Sequence, residues 1–135
     1  MAPRQQTTLL VLGDCLVFIA FALIGLKNHE EGITLNGIVR NAVPFGAAWL
    51  IAATFTGLYR PGWQHSDDGL LQKVGTAWLP AWALGLALRS LYVWHWPVAA
   101  FGGVVLITAG LMLVLWRTIA AWLVKQGQQQ HSVSS

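Results

Sequence analysis

Hydrophobic positions along the chain gather into four long runs, residues 8–26, 38–59, 74–93 and 98–124, separated by short polar breaks. At about 1.5 Å of rise per residue the first run reaches ~28 Å as a helix, enough for one bilayer crossing. The alternating pattern of a membrane barrel is absent. The breaks carry the turn chemistry. Residues 27–37 hold Lys27, His29, Glu30 and Glu31 together with Gly32 and Asn36-Gly37. Arg60-Pro61-Gly62 ends the second run sharply, and residues 60–73 form the most hydrophilic loop, with Asp67 and Asp68 placed to cap a short turn. Trp94-His95-Trp96-Pro97 is a tight connection between the last two runs. Residues 125–135 are rich in Gln and Ser and read as a disordered tail. The pattern predicts an all-α fold: one membrane domain over residues 1–135, with four transmembrane helices in an up-down bundle. Small residues at helical spacing, Ala42 and Gly46, Ala53 and Gly57, Gly103 and Gly110, offer notches for close helix approach.

Composition strengthens this reading. The chain is 56% hydrophobic and only 10% charged, against roughly 25% charged residues in soluble domains. The eight Lys and Arg outnumber the five acidic residues, yet they lie singly at the ends of apolar runs. That is the habit of a membrane protein and not of a phosphate-binding patch, so nucleic acid is not an expected partner. The single cysteine, Cys15, excludes an internal disulfide and reads as an apolar filler. Ala20-Phe21-Ala22 mimics a signal-peptide cleavage site, but Asp14 interrupts the apolar segment before it and the run continues past it. Four crossings put Arg4, Arg60, Lys73 and Lys125 on one side and Lys27 and Arg40 on the other. The excess predicts both termini in the cytoplasm and a place in the inner (plasma) membrane.

Charges inside the runs are the candidate chemistry. An ionisable group at membrane depth needs a partner, a water-filled space or a ligand. Depth counted along the four helices sets Asp14 level with Arg117 near the inner side. Arg89 falls in the outer half with Arg40, His29, Glu30 and Glu31. Two polar layers follow: an inner Asp14–Arg117 pair and an outer layer joining Arg89 to Glu30 or Glu31. Asp14 reads either as half of a static ion pair or as a titrating coupling group. His29 and His95 lie on one side, but neither is well inside a run and no haem-attachment motif accompanies them, so no cofactor is expected. His65 with Asp67 and Asp68 reads as a solvated loop, not a metal site. Trp63, Trp78, Trp116 and Trp122 are expected at the inner interface and Trp94 and Trp96 at the outer one, as an aromatic belt, whereas Trp49 and Trp82 are expected in packing. No catalytic triad, phosphate loop, dinucleotide fingerprint or zinc-helix motif occurs, so no catalytic residue is assigned and an enzyme is not expected.

Several stretches together resemble a family of small four-helix integral membrane proteins known as a domain of unknown function. They are Gly13-Asp14 with residues 18–25 and His29 beyond, Arg40 through Pro44-Phe45 to Trp49, Gly57-Leu58-Tyr59, Leu88-Arg89 and Trp116-Arg117. Lys27 departs from the arginine that the pattern places before the histidine, which weakens any bidentate role there. The resemblance implies a membrane protein, draws attention to Asp14, Arg89 and Arg117, and implies no activity. The chain also resembles the small multidrug-resistance transporters in having four short helices and a first-helix carboxylate; their remaining motifs are missing. The expectation is a structural or accessory membrane subunit in contact with the lipid bilayer, as a homodimer or within a larger membrane complex. The alternative is a small dimeric proton-coupled transporter or channel using Asp14.

Overall fold

A computed structural model describes residues 3–27, 34–60, 63, 69–94 and 99–134. Four helices account for nearly all of them: α1 Pro3–Lys27, α2 Leu35–Phe55, α3 Leu70–Val93 and α4 Ala99–Ser134. Three segments are long and apolar enough to cross a membrane, Arg4–Leu26, Leu35–Phe55 and Ala100–Gly127. The side chains that face outward are as oily as those inside. Leu12, Leu16, Val43, Ile51, Leu79, Val104, Ile107, Leu111 and Leu115 are all exposed, an apolar surface far beyond what a water-soluble monomer presents.

The helix ends differ from the hydrophobic runs for local reasons. Pro3 opens α1, in the first helical position where a missing N–H costs nothing. Thr34 caps α2, its hydroxyl accepting from the Gly37 amide at 3.0 Å. Asn36-Gly37 therefore lies in the first turn of a helix and not in a loop. α2 stops at Phe55, four residues before its apolar run does. Gly57, at φ +82°, turns the chain back: the Leu58 amide bonds to the Ala53 carbonyl at 2.9 Å and the Gly57 amide to that of Thr54 at 3.3 Å. These are the two bonds of a Schellman motif, and they need a residue with positive φ between them. The expected disordered tail is a correction, since α4 continues to Ser134. Once nucleated and packed, a helix extends through glutamines at little cost per residue.

Each helix packs on two others, α1 on α2 and α4, and α3 on α2 and α4, with no backbone approach across the diagonals among the described residues. Aromatic rings fill the space between. Phe18 of α1 meets Trp78 of α3 at 5.9 Å between centroids, and Phe45 of α2 meets Phe101 of α4 at 6.3 Å. Lipid is as apolar as these rings, so tight packing and hydrogen bonds hold the helices, not a drive to escape water. Some of the small-residue notches receive rings in place of neighbouring backbones. A side chain at Gly85 would strike the Phe45 ring, and one at Gly110 would lie 2.9 Å from the Trp78 indole nitrogen. Gly103 faces open space. The Trp78 indole donates to the Leu106 carbonyl at 3.0 Å and the Trp82 indole to that of Gly102 at 2.9 Å. The two indoles are one turn apart on α3 and grip two carbonyls one turn apart on α4.

Candidate functional site

Asp14 sits just before the middle of α1 and is 1% exposed; Arg117 of α4 is 0% exposed. The two meet as a fork. Arg117 Nη2 donates to one carboxylate oxygen at 2.7 Å and Nε to the other at 3.2 Å. Nη1 of Arg117 turns away and donates to the Leu58 carbonyl at 2.8 Å. Three further donors reach Asp14: the Trp49 indole at 2.8 Å, the Tyr59 hydroxyl at 2.6 Å and the Trp116 indole at 2.9 Å. Every hydrogen-bonding neighbour of this carboxyl donates, which is the environment of an ionised carboxylate.

Local sequence explains how five donors converge. Gly13 lacks a Cβ, and any side chain there would overlap the Trp116 indole. Gly13-Asp14 and Trp116-Arg117 therefore interlock, the indole lying on the glycine while indole and guanidinium share the next residue's carboxylate. The Schellman turn after α2 supplies the rest. By reversing the chain at Gly57 it aims the Leu58 carbonyl at Arg117 and brings the Tyr59 ring alongside. The guanidinium carbon lies 5.1 Å from the Tyr59 ring centre, 5.0 Å from that of Trp63 and 5.9 Å from that of Trp49. Thr7 Oγ1 donates to the Tyr59 carbonyl at 3.4 Å, tying the start of α1 to the same turn.

Two apolar clusters close the pair from either end. Leu10, Trp63, Ala120, Ala121 and Val124 lie beyond it toward the start of α1 and the later turns of α4, and the main core, including Phe18, Trp49, Leu58 and Leu113, lies on the other side. A groove of about 300 Å³ between α1 and α2 is lined by Cys15, Phe18, Ala42, Gly46 and Leu50 among others; Asp14 does not line it. The site is thus a sealed, fully paired charge cluster. It can fix the register of α1, the α2 turn and α4; it offers no open face for a substrate.

The outer charges are arranged differently. Arg89 of α3 is half-buried. Its Nε donates to Asn41 Oδ1 at 3.1 Å, and its guanidinium carbon lies 4.1 Å over the centre of the Phe101 ring. Arg40 is half-buried in the second turn of α2. Tyr92 donates to Asn36 Oδ1 at 3.3 Å across the same α2–α3 seam. His29, Glu30, Glu31, His65, Asp67, Asp68, His95 and Trp96 lie outside the described residues, and so does any Arg89–Glu30 or Arg89–Glu31 contact. Among the described residues no three His, Cys, Asp or Glu side chains come together.

The tryptophan pattern is corrected. Trp78 and Trp116 are not a belt at the inner surface: both point inward and donate to internal acceptors, and Trp63 is buried against Arg117. An indole N–H among apolar helices needs an acceptor, and a spare helix carbonyl supplies it for Trp78 and the Asp14 carboxylate for Trp116, whereas the buried Trp63 indole nitrogen has no partner among the described residues. Trp94 and Trp122 are exposed. Sequence reasoning paired Asp14 with Arg117 by depth but missed Trp49, Tyr59, the Leu58 carbonyl and Asn41 as partners. Gly57-Leu58-Tyr59 was the available signal, since a glycine followed by an apolar residue at a helix end is what a Schellman turn requires.

Helices apolar on all sides around a sealed ion pair define an integral membrane protein of the all-α class. Residues 11–120 match the family described as "Protein of unknown function (DUF3054)", and the chain belongs to that family. Neither a curated protein nor a solved structure matches the chain. The likeness to small multidrug-resistance transporters finds no support.

Proposed function

We propose that the chain is a four-span, up-down protein of the inner membrane, both termini cytoplasmic, that serves as a structural or accessory subunit and not as an enzyme or transporter. The observation that carries this reading is the closure of Asp14. A coupling carboxylate must be reached by water and substrate in at least one state; this one is 1% exposed and already holds five donors. Burial of an ion pair contributes little net stability against an apolar replacement, but it fixes which surfaces meet. That suits a scaffold. Support for α3 as a fourth span comes from its place between α2 and α4 and from its charges. Lys73 lies near its start and Arg89 near its end, leaving residues 74–88 free of charge.

The test is reconstitution of the full chain and of Asp14→Asn in liposomes carrying a pH-reporting dye, beside purification from native membranes in mild detergent. The reading expects no Asp14-dependent proton flux and a membrane partner, or a second copy, at constant stoichiometry. A well-folded Asp14→Asn variant that loses a flux present in wild type would overturn it. So would a chain that purifies alone as a stable monomer. Impermeant maleimide labelling of single cysteines, introduced at His29 and His65 in a Cys15→Ser background, checks the topology: the two sites should label from opposite sides.

A further inference from the structure

Arg89 and Asp14 both sit in oily helices, yet they are held in opposite ways. Arg117 spends its fork on Asp14. The fork of Arg89 meets no carboxylate among the described residues. Its Nε is taken by Asn41 and its face by Phe101, so α2 and α4 together fix the plane of the guanidinium. That leaves Nη1 and Nη2 as an oriented pair of donors, the geometry that recognises an oxyanion through two parallel bonds. Arg40 adds a second positive charge close enough to be felt at Arg89. Arg89 is about one turn from the end of α3, Arg40 about a turn and a half from the start of α2, and Phe101 in the first turn of α4. All three therefore lie at one end of the bundle, at headgroup depth if the helices span.

We propose that Arg89, oriented by Asn41 and Phe101, binds a phosphate group, with an anionic phospholipid headgroup as its source. A guanidinium fork held in a fixed plane at the headgroup level matches the paired oxygens of a phosphate, which it can bind bidentately. The proposal rests on the four-span reading for its depth. Failure of that reading appears in the cysteine labelling above, whereas the experiment here reads the anion site itself.

The experiment follows thermal unfolding of the full chain in a neutral maltoside detergent. Palmitoyl-oleoyl phosphatidylglycerol, the matching phosphatidylcholine and inorganic phosphate are titrated separately. Phosphatidylglycerol should raise the midpoint saturably, and phosphatidylcholine should do so less. Arg89→Gln should weaken the apparent phosphatidylglycerol affinity roughly ten- to hundredfold, the loss of charged hydrogen bonds. Arg89→Lys should fall between, because it keeps the charge and loses the fork. If Arg89→Gln does not fold, Arg89→Lys carries the test alone. An Arg89-dependent shift with inorganic phosphate as large as that with phosphatidylglycerol supports the site and assigns it to a free anion. Equal response of wild type and both variants overturns the proposal, and so does an equal response to the two lipids. Binding that appears only when Glu30→Gln and Glu31→Gln are combined means that loop carboxylates fill the fork, and also overturns it.

Discussion

Replacing Asp14 by Asn changes one atom and strands a charge. The side chain keeps its shape, so packing is preserved, and the effect is almost purely electrostatic and hydrogen-bonding. The amide nitrogen must take the place of one carboxylate oxygen. On the Oδ1 side it faces the Trp116 indole and Arg117 Nε; on the Oδ2 side it faces Trp49, Tyr59 and Arg117 Nη2. The first choice is less damaging and still sets a donor against two donors. It also leaves Arg117, fully buried, with one neutral carbonyl in place of a counter-charge. Removing one partner of a buried pair costs about 3–5 kcal/mol, or roughly two to three and a half powers of ten in the folded-to-unfolded ratio. The measurement is reversible unfolding in mixed micelles for Asp14→Asn, Arg117→Met and the double variant. The double variant should cost less than the sum of the singles by more than about 1 kcal/mol, because the second change removes the charge that the first left unpaired. Additive costs, or an Asp14→Asn variant within about 1 kcal/mol of wild type, would refute the reasoning, since ordinary surface substitutions stay inside that range.

Gly13→Ala should destabilise by about 1–3 kcal/mol through overpacking, because its methyl overlaps the Trp116 indole and pushes it off Asp14; a thermal melt with a shift in Trp emission checks it, and an unchanged melt contradicts it. Tyr59→Phe removes one of the five donors while leaving the ion pair intact, so it should cost about 1.5–3 kcal/mol, less than Asp14→Asn in the same unfolding assay. Gly57→Ala forces a side chain into positive φ and should cost about 1–2 kcal/mol, with Gly57→Asn milder because Asn tolerates that region. Equal melts for Gly57→Ala and wild type would show that the Schellman turn does not hold the site.

The fold was legible because membrane helices announce themselves. Runs of apolar residues bounded by Pro, Gly and charge gave four helices in the right order, and depth counting along them placed Asp14 beside Arg117. What the counting lacked was rotation about each helix axis. Trp78 and Trp116 lie near run ends, where a belt tryptophan also lies, and only packing shows that their indoles turn inward. The end of α2 was misplaced for a related reason. Leu58 and Tyr59 are apolar and extend the run, yet their backbone is a turn set by Gly57 four residues after Ala53. Arg89 was assigned to Glu30 and Glu31 because depth counting put them at its level, and both lie outside the described residues. Its contacts among the described residues are a neutral amide, Asn41, and an aromatic face, Phe101, which a search for opposite charge does not find.

Asp14 is closed off from water by its donors. Deuterium exchange of the Trp49 and Trp116 indole N–H groups, followed by nitrogen-15 NMR of the protein in lipid nanodiscs, reads that closure directly, because both indoles end on the carboxylate. Both signals should persist in heavy water for as long as the protein stays folded. Loss of either at the rate of an open indole, in folded protein, would show that water reaches Asp14 and would contradict the structural lock.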